Sequence, residues 1–262
     1  MVKIFSGYSK QGGSTEAFIN LTNALNKRGH DTIFFGPHSY HLNKCKSGLL
    51  TQNSIVVDAD DHVITHMMNA RFIVKPLKHI YSCHEQVGFS FEGMDMSAVD
   101  KVHFVSKHQR DYHSIEHPHF IMSNVYDELH PNESGWVAGV VGLIYPLKQT
   151  HGAILKALED GFKKVLVWGH NPDKQYFTEL IEPLIDNERV FYMGHTTDKQ
   201  KMFDSFSDLY LHSESECLPS IIAEAKLSGK VVHIPEDRNY KDVEYELDSN
   251  VVVNTWIREL GL

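Results

Sequence analysis

The chain has 262 residues, 42% of them hydrophobic, enough to bury one large core or two modest ones. No apolar run approaches the about 20 residues of a bilayer span, and the opening MVKIFSGYSK lacks the apolar core of a signal peptide, so a cytoplasmic protein with no membrane span is expected. Cys45, Cys83 and Cys217 are odd in number and widely spaced, which excludes a disulfide framework and a zinc knuckle.

The net charge of −9 is uneven. Residues 1–134 carry 12 Lys/Arg against 14 Asp/Glu, and residues 135–262 carry 13 against 20. The first half also holds 13 of the 18 histidines and a scatter of cations, Arg71, Lys75, Lys78, Lys101, Lys107 and Arg110, which makes it the better candidate for an anionic acceptor such as DNA.

In chain order, short β-rich runs alternate with helical patterns, the signature of βα units on parallel sheets. Val2–Ser6 reads as a strand, Lys10–Thr15 as a glycine loop, and Glu16–Lys27 as a helix with Phe18, Leu21, Ala24 and Leu25 on one face. Gly29 closes that helix, and Thr32–Phe35 is the next strand. Further strands are predicted at Ser54–Val57, His62–Thr65, Lys78–Ser82 and Lys101–Val105, with a helix after Ser106.

The polar stretch Glu128–Gly135 reads as a linker, dividing the chain into domains 1–130 and 136–262. Beyond it, strands are predicted at Val137–Gly142, Lys164–Trp168, Arg189–Met193, Asp208–His212 and Lys230–Ile234. The intervening helices fall at Gln149–Asp160, Asp173–Leu184, Asp198–Ser205 and Pro219–Leu227. The predicted fold class is α/β, with two Rossmann-like domains.

The richest chemistry lies in Leu211–Gly229, LHSESECLPSIIAEAKLSG. A helix starting near Pro219 offers unpaired backbone N–H groups around Leu218, Ser220 and Ile221, together with the positive end of its dipole, which suits a diphosphate. Glu216 before the helix and Glu224 within it suit hydroxyl groups on either side of such an anion. Gly142, Gly169 and Gly194 each end a predicted strand, where an open α/β sheet binds its ligand, and Lys148 supplies a mobile cation.

The order of these features resembles family 4 of the nucleotide-sugar glycosyltransferases, retaining enzymes of the two-domain GT-B architecture in which two Rossmann-like domains face across a cleft. The resemblance rests on Gly12-Gly13-Ser14-Thr15-Glu16, Asn26-Lys27-Arg28-Gly29-His30-Asp31, His84-Glu85, Phe104-Val105-Ser106 and Ser123-Asn124-Val125-Tyr126-Asp127 in the first half. In the second half it rests above all on Glu216-Cys-Leu-Pro-Ser-Ile-Ile-Ala-Glu224-Ala225. It implies an acceptor-side first domain and a donor-binding second one, with no metal and no cofactor, since the nucleotide sugar is a substrate.

The roles implied by the resemblance are residue-specific. Glu224 would hold the ribose, Glu216 and the backbone at Cys217 and Leu218 the donor sugar, and Lys148 the leaving diphosphate. His84 would lie by the donor sugar, and Gly12 and Gly13 would admit backbone close to the reacting groups. Ser220 and His195 complete the donor-binding set, and His84, Glu216 and Lys148 form the catalytic set. The expected acceptor is a glycan, a lipid-linked sugar, a small molecule or a hydroxylated base in DNA, the last because the compact build resembles trimmed virus-encoded members.

This chain departs from the family in two respects. Leu143 stands where the family has a diphosphate-binding arginine, so either a substitute such as Arg238 or Lys10 acts with Lys148 or diphosphate binding is weaker. The chain is also shorter than most relatives, whose C-terminal helix returns to the first domain, so a trimmed first domain completed in a homodimer is expected. A nucleotide-sugar epimerase and a non-catalytic sugar-nucleotide-binding subunit are the alternative functions. The glycine loop lacks the third glycine of a dinucleotide fingerprint, and the pairs His117/His119 and His38/His41 lack a supporting metal-ligand pattern. Cys217 has no nearby base and reads as a packing residue.

Overall fold

The computed structural model describes residues 1–8, 12–37, 39–51, 55–68, 72–85, 91 and 94–262. Expectations involving Lys10, His38, Ser54 and Arg71 fall outside the described residues. The chain divides into two compact units, 1–126 together with 243–262, and 127–242.

In the first unit the strands are β1 (Val2–Ser6), β2 (Thr32–Gly36), β3 (Ser47–Leu49), β4 (His62–His66), β5 (Lys78–Cys83), β6 (Lys101–Phe104) and β7 (His119–Ile121). All pair in parallel, in the order β3-β2-β1-β4-β5-β6-β7. Helix α1 spans Gly13–Lys27, and α2, Lys107–His113, is capped by the Ser106 hydroxyl, which accepts from Gln109 N–H. Residues 55–57, expected within a strand, are irregular; Ser47–Leu49 forms the edge strand beside β2 instead.

The expected division at 130/136 assigns the C-terminus to the second domain, whereas the structure assigns residues 243–262 to the first. The reason is α7, Ser249–Leu260, whose Val252, Trp256 and Leu260 recur every four residues and bury against the sheet and the Phe18, Leu21 and Leu25 face of α1. The helix is also pinned at its edges. Arg28 donates to Asn250 and Asn254 at 2.6 and 3.0 Å, Lys101 pairs with Glu259 at 2.6 Å, and His62 Nδ1 donates to the Leu260 carbonyl at 2.9 Å. The first unit is therefore not trimmed of its closing helix, which removes the reason for expecting a homodimer.

In the second unit β8 (Ala138–Val141), β9 (Val165–Trp168), β10 (Val190–Gly194), β11 (Asp208–Tyr210) and β12 (Val231–His233) form a parallel sheet in the order β10-β9-β8-β11-β12. Strand alternation divides its core between two faces. Val165 and Val167 face α3 (Thr150–Glu159), while Leu166 and Trp168 join Met202 and Phe203 of α5 (Lys199–Phe203) and Phe206 beyond it. Gly139 leaves room for the Phe206 ring, which a Cβ there would strike.

The helix expected over Asp173–Leu184 is not uniform. A single α-turn at Lys174–Tyr176, α4, passes into a π turn at Phe177–Ile181 and a 3-10 turn at Glu182–Leu184. Pro183 has no N–H to give to Glu179, so the regular ladder cannot continue. Helix α6, Ser220–Leu227, precedes β12 as expected.

Trp256 is 2% exposed and holds α7 to the sheet. Trp256→Ala is expected to destabilise the first unit by about 3–5 kcal/mol, read as a lower midpoint for its transition in urea.

Candidate active site

In each sheet the strand order reverses at one point, between β1 and β4 in the first unit and between β8 and β11 in the second. At such a point the two following loops leave toward opposite faces and open a crevice beyond the strand ends. In the second unit these are the loops that carry Gly142–Lys148 and Leu211–Pro219, the two segments singled out by the sequence.

Their backbones are joined. Glu214 N–H donates to the Leu147 carbonyl at 2.9 Å, and the Gln149 amide donates to Glu214 Oε1 at 2.8 Å. Lys148 forms an ion pair with Glu216, so the expected cation and carboxylate do meet, directly with each other. The Asn239 side chain brackets Glu216, accepting from its N–H at 3.4 Å and donating to its carbonyl at 3.3 Å. Ser213 and Tyr240 are buried, and the tyrosine hydroxyl donates to the Ser213 carbonyl at 2.7 Å, anchoring the base of the loop.

Pro219 then opens α6 with no side-chain cap. The first N–H groups of the helix, at Ser220 and Ile221, consequently lack an intrahelical partner, while Ile222 N–H folds back to the Pro219 carbonyl at 3.0 Å. Leu218 is buried, and Cys217 and Ser220 are half-buried.

Glu224 lies in the following turn, 7% exposed. It meets a cation that sequence reasoning missed: Lys199, at the start of α5, donates to Glu224 Oε1 at 2.6 Å and also pairs with Asp127. Burial works against the Lys199 ammonium, but the Glu224 and Asp127 carboxylates prevail and hold its pKa above the ordinary lysine range. Nothing in the spacing from Asp127 to Lys199 to Glu224 announces the triad; Asp198, whose carboxylate caps α5 by accepting from Lys201 N–H at 3.0 Å, is the local signal that fixes where Lys199 begins.

The three strand-end glycines converge as expected. Gly142 N–H donates to the Trp168 carbonyl at 3.0 Å and Gly169 N–H to the Gly194 carbonyl at 2.9 Å. Gly169 sits at φ +154°, and a side chain there would collide with the Gly142 carbonyl; Gly194 sits at φ +73°. His195 is exposed after β10. Of the two expected substitutes for the missing arginine, Lys10 is undescribed. Arg238 donates from Nε to the His212 carbonyl at 3.3 Å and pairs with Asp237 at 2.8 Å, while Leu143 is 43% exposed.

In the first unit Gly12 precedes α1 in extended conformation and Gly13 begins it. His84 follows β5, with its ring 5.1 Å from His66, 6.0 Å from His103 and 4.9 Å from Phe18, centroid to centroid. Its Nε2 is 3.1 Å from Ser82 Oγ, which is 2.9 Å from His103 Nδ1, and His103 Nε2 is 2.8 Å from the Met122 carbonyl. His66 Nδ1 donates to the Ser82 carbonyl at 3.0 Å, and its Nε2 faces Glu85 Oε1 at 3.2 Å without an aligned hydrogen bond. Burial first, then the neighbouring His66 and His103, push the His84 pKa well down. Burial also lowers that of His103 to about 4, outweighing its bond to the Met122 carbonyl. Sequence reasoning found His84 alone; the visible signal for the others was a histidine ending the apolar strand β4 and another inside β6.

The basic set is partly committed. Lys101 pairs with Glu259 at 2.6 Å and Arg110 with Asp111 at 2.6 Å, while Lys75 and Lys107 are exposed and Lys78 is half-buried. No group of His, Cys, Asp or Glu suited to a metal ion occurs among the described residues, and none of their helices is long and apolar enough to cross a membrane.

No protein-family model matches the sequence, and no curated protein does. Solved structures do. The chain is similar to HepE of Anabaena in complex with UDP and glucose, with a TM-score of 0.67 at 14% identity over 97% of this chain and 88% of that one. It is also similar to AviGT4, a glycosyltransferase involved in avilamycin A biosynthesis (TM-score 0.64, 14% identity, 99% and 88% covered). WaaG, a glycosyltransferase involved in lipopolysaccharide biosynthesis, gives a TM-score of 0.61 at 11% identity, with 100% and 91% covered. The fold is the GT-B fold of glycosyltransferases.

His103 carries a testable pH dependence. Unfolded, it takes up a proton near its ordinary value of 6.5; folded, only near 4. Its contribution to stability is therefore full above pH 6.5 and declines as the pH falls, reaching a loss of about 3 kcal/mol by pH 4. Between pH 7 and 4, the melting temperature of wild type is expected to fall further than that of His103→Gln.

Proposed function

We propose that the protein is a glycosyltransferase that moves a sugar from a nucleoside diphosphate sugar to an acceptor hydroxyl, with retention of configuration and without a metal ion. The observation that carries this reading is the Lys148–Glu216 pair beside the uncapped start of α6, at the point where the strand order reverses. The likeness to a structure holding UDP and glucose supports a uridine nucleotide as donor.

In this reading the diphosphate rests against the N–H groups of Ser220 and Ile221, and Lys148 leaves Glu216 to meet it. As the glycosidic bond breaks, negative charge grows on the leaving diphosphate, so a fixed dipole and a mobile ammonium favour the transition state over the bound substrate. Glu216, released from its lysine, accepts hydrogen bonds from sugar hydroxyls. Glu224, paired with Lys199, accepts from the ribose. Gly142, Gly169 and Gly194 keep the strand ends free of side chains, so the nucleotide approaches the backbone closely. Retention follows if a leaving phosphate oxygen takes the proton of the acceptor hydroxyl on the face from which the leaving group departs.

A thermal-shift screen of UDP-, GDP-, ADP- and CDP-sugars is expected to raise the melting temperature with at least one donor. With that donor, Lys148→Ala is expected to lower kcat/KM for sugar transfer or donor hydrolysis by about 100-fold or more, and to weaken binding less. A silent screen, or full turnover by Lys148→Ala, sinks the proposal. Formation of an epimeric nucleotide sugar without acceptor would assign the site to an epimerase, and binding without any turnover to a non-catalytic subunit.

A further inference from the structure

The bonds around His84 form a chain whose proton directions are set from one end. The Met122 carbonyl only accepts, so His103 carries its proton on Nε2. A neutral His103 then has a bare Nδ1, and the one group bonded to it, the Ser82 hydroxyl, must donate. Having spent its only proton, Ser82 Oγ accepts from His84, which must be protonated at Nε2. His84 Nδ1 is left as a lone pair with no partner among the described residues.

We propose that Ser82 and His103 are positioning residues that hold His84 as the neutral Nε2–H tautomer, so that the ring presents Nδ1 as a hydrogen-bond acceptor to a hydroxyl-bearing ligand. The identity of the ligand rests on the sugar-transfer reading; the tautomer does not. An acceptor nitrogen selects for a hydroxyl and against a phosphate oxygen or carbonyl, which have no proton to give. A flipped tautomer, with Nδ1–H, would donate to a hydroxyl, phosphate or carbonyl oxygen alike and lose that selection, so the buried Ser82 hydroxyl acts as a selector that never touches the ligand itself.

The environment of His84 supports a neutral ring. It packs between Phe18 of α1, His66 of β4 and His103 of β6 and lines a small cleft with Asn124, Val125 and Trp256. The charged or titratable groups facing it are His66, His103 and the adjacent Glu85, whose Oε2 accepts from the His84 backbone N–H at 3.2 Å. Ser82 and His103 are 0% and 1% exposed, so water does not compete for the relay.

The test is a long-range proton–nitrogen NMR correlation on the full-length, nitrogen-15-labelled protein at pH 7.5, with the His84 signals assigned by their loss in His84→Gln. The expected result is a protonated Nε2 and a bare Nδ1 at both His84 and His103. Ser82→Ala is expected to move His84 to a mixture of tautomers, and Ser82→Thr, which keeps the hydroxyl, to restore the single form. A His84 that is Nδ1–H, doubly protonated, or indifferent to Ser82→Ala overturns the proposal whether or not any sugar is transferred. With UDP-glucose as the probe, Ser82→Ala is expected to lower kcat/KM about tenfold and Ser82→Thr to recover it. If Ser82→Ala misfolds, the tautomer of wild-type His84 alone decides.

Discussion

Every strand in both sheets runs parallel, and from this constraint the rest follows. A parallel sheet gathers all its strand C-termini on one edge, and an order that reverses once leaves a single gap on that edge where no connection crosses. Into the gap of the second sheet the chain delivers two ammonium groups, three carboxylates and the uncapped beginning of a helix. None of these is unusual alone; their convergence is a property of strand order, which no local segment encodes.

Each charge in that gap meets one of opposite sign. Lys148 with Glu216, and Lys199 with Glu224 and Asp127, keep the resting site free of uncompensated buried charge, which would destabilise the unit. The two arrangements differ in consequence. Lys199 lies between two carboxylates and is held; Lys148 has one partner among the described residues, on a loop fastened by Asn239, and can exchange it for an anion at smaller cost.

Much of this was legible in the sequence, for identifiable reasons. β1, α1 and the strand-end glycines follow from local periodicity and from the conformations only glycine adopts readily, and Glu216 to Ala225 is a continuous motif. Lys199 and the relay of Ser82 and His103 were not legible, because each is defined by partners far away in sequence: Lys199 meets Asp127, and His103 meets the Met122 carbonyl only because β6 and β7 lie side by side. The irregular turns over Phe177–Leu184 had a local signal, Pro183 inside the predicted helix, which the apolar periodicity of that stretch overrode. The boundary at residue 130 misassigned the C-terminus because a helix that returns to an earlier core looks, from its own sequence, like any amphipathic helix.

That return makes the second unit an insertion within the first. On the ribosome, residues 127–242 emerge whole before Val252, Trp256 and Leu260 exist, so the later-numbered unit is the one able to mature first. Until Ser249–Leu260 is made, the Phe18, Leu21 and Leu25 flank of α1 stays uncovered. The nascent polypeptide thus exposes an apolar flank of its first unit for as long as the inserted unit is being made.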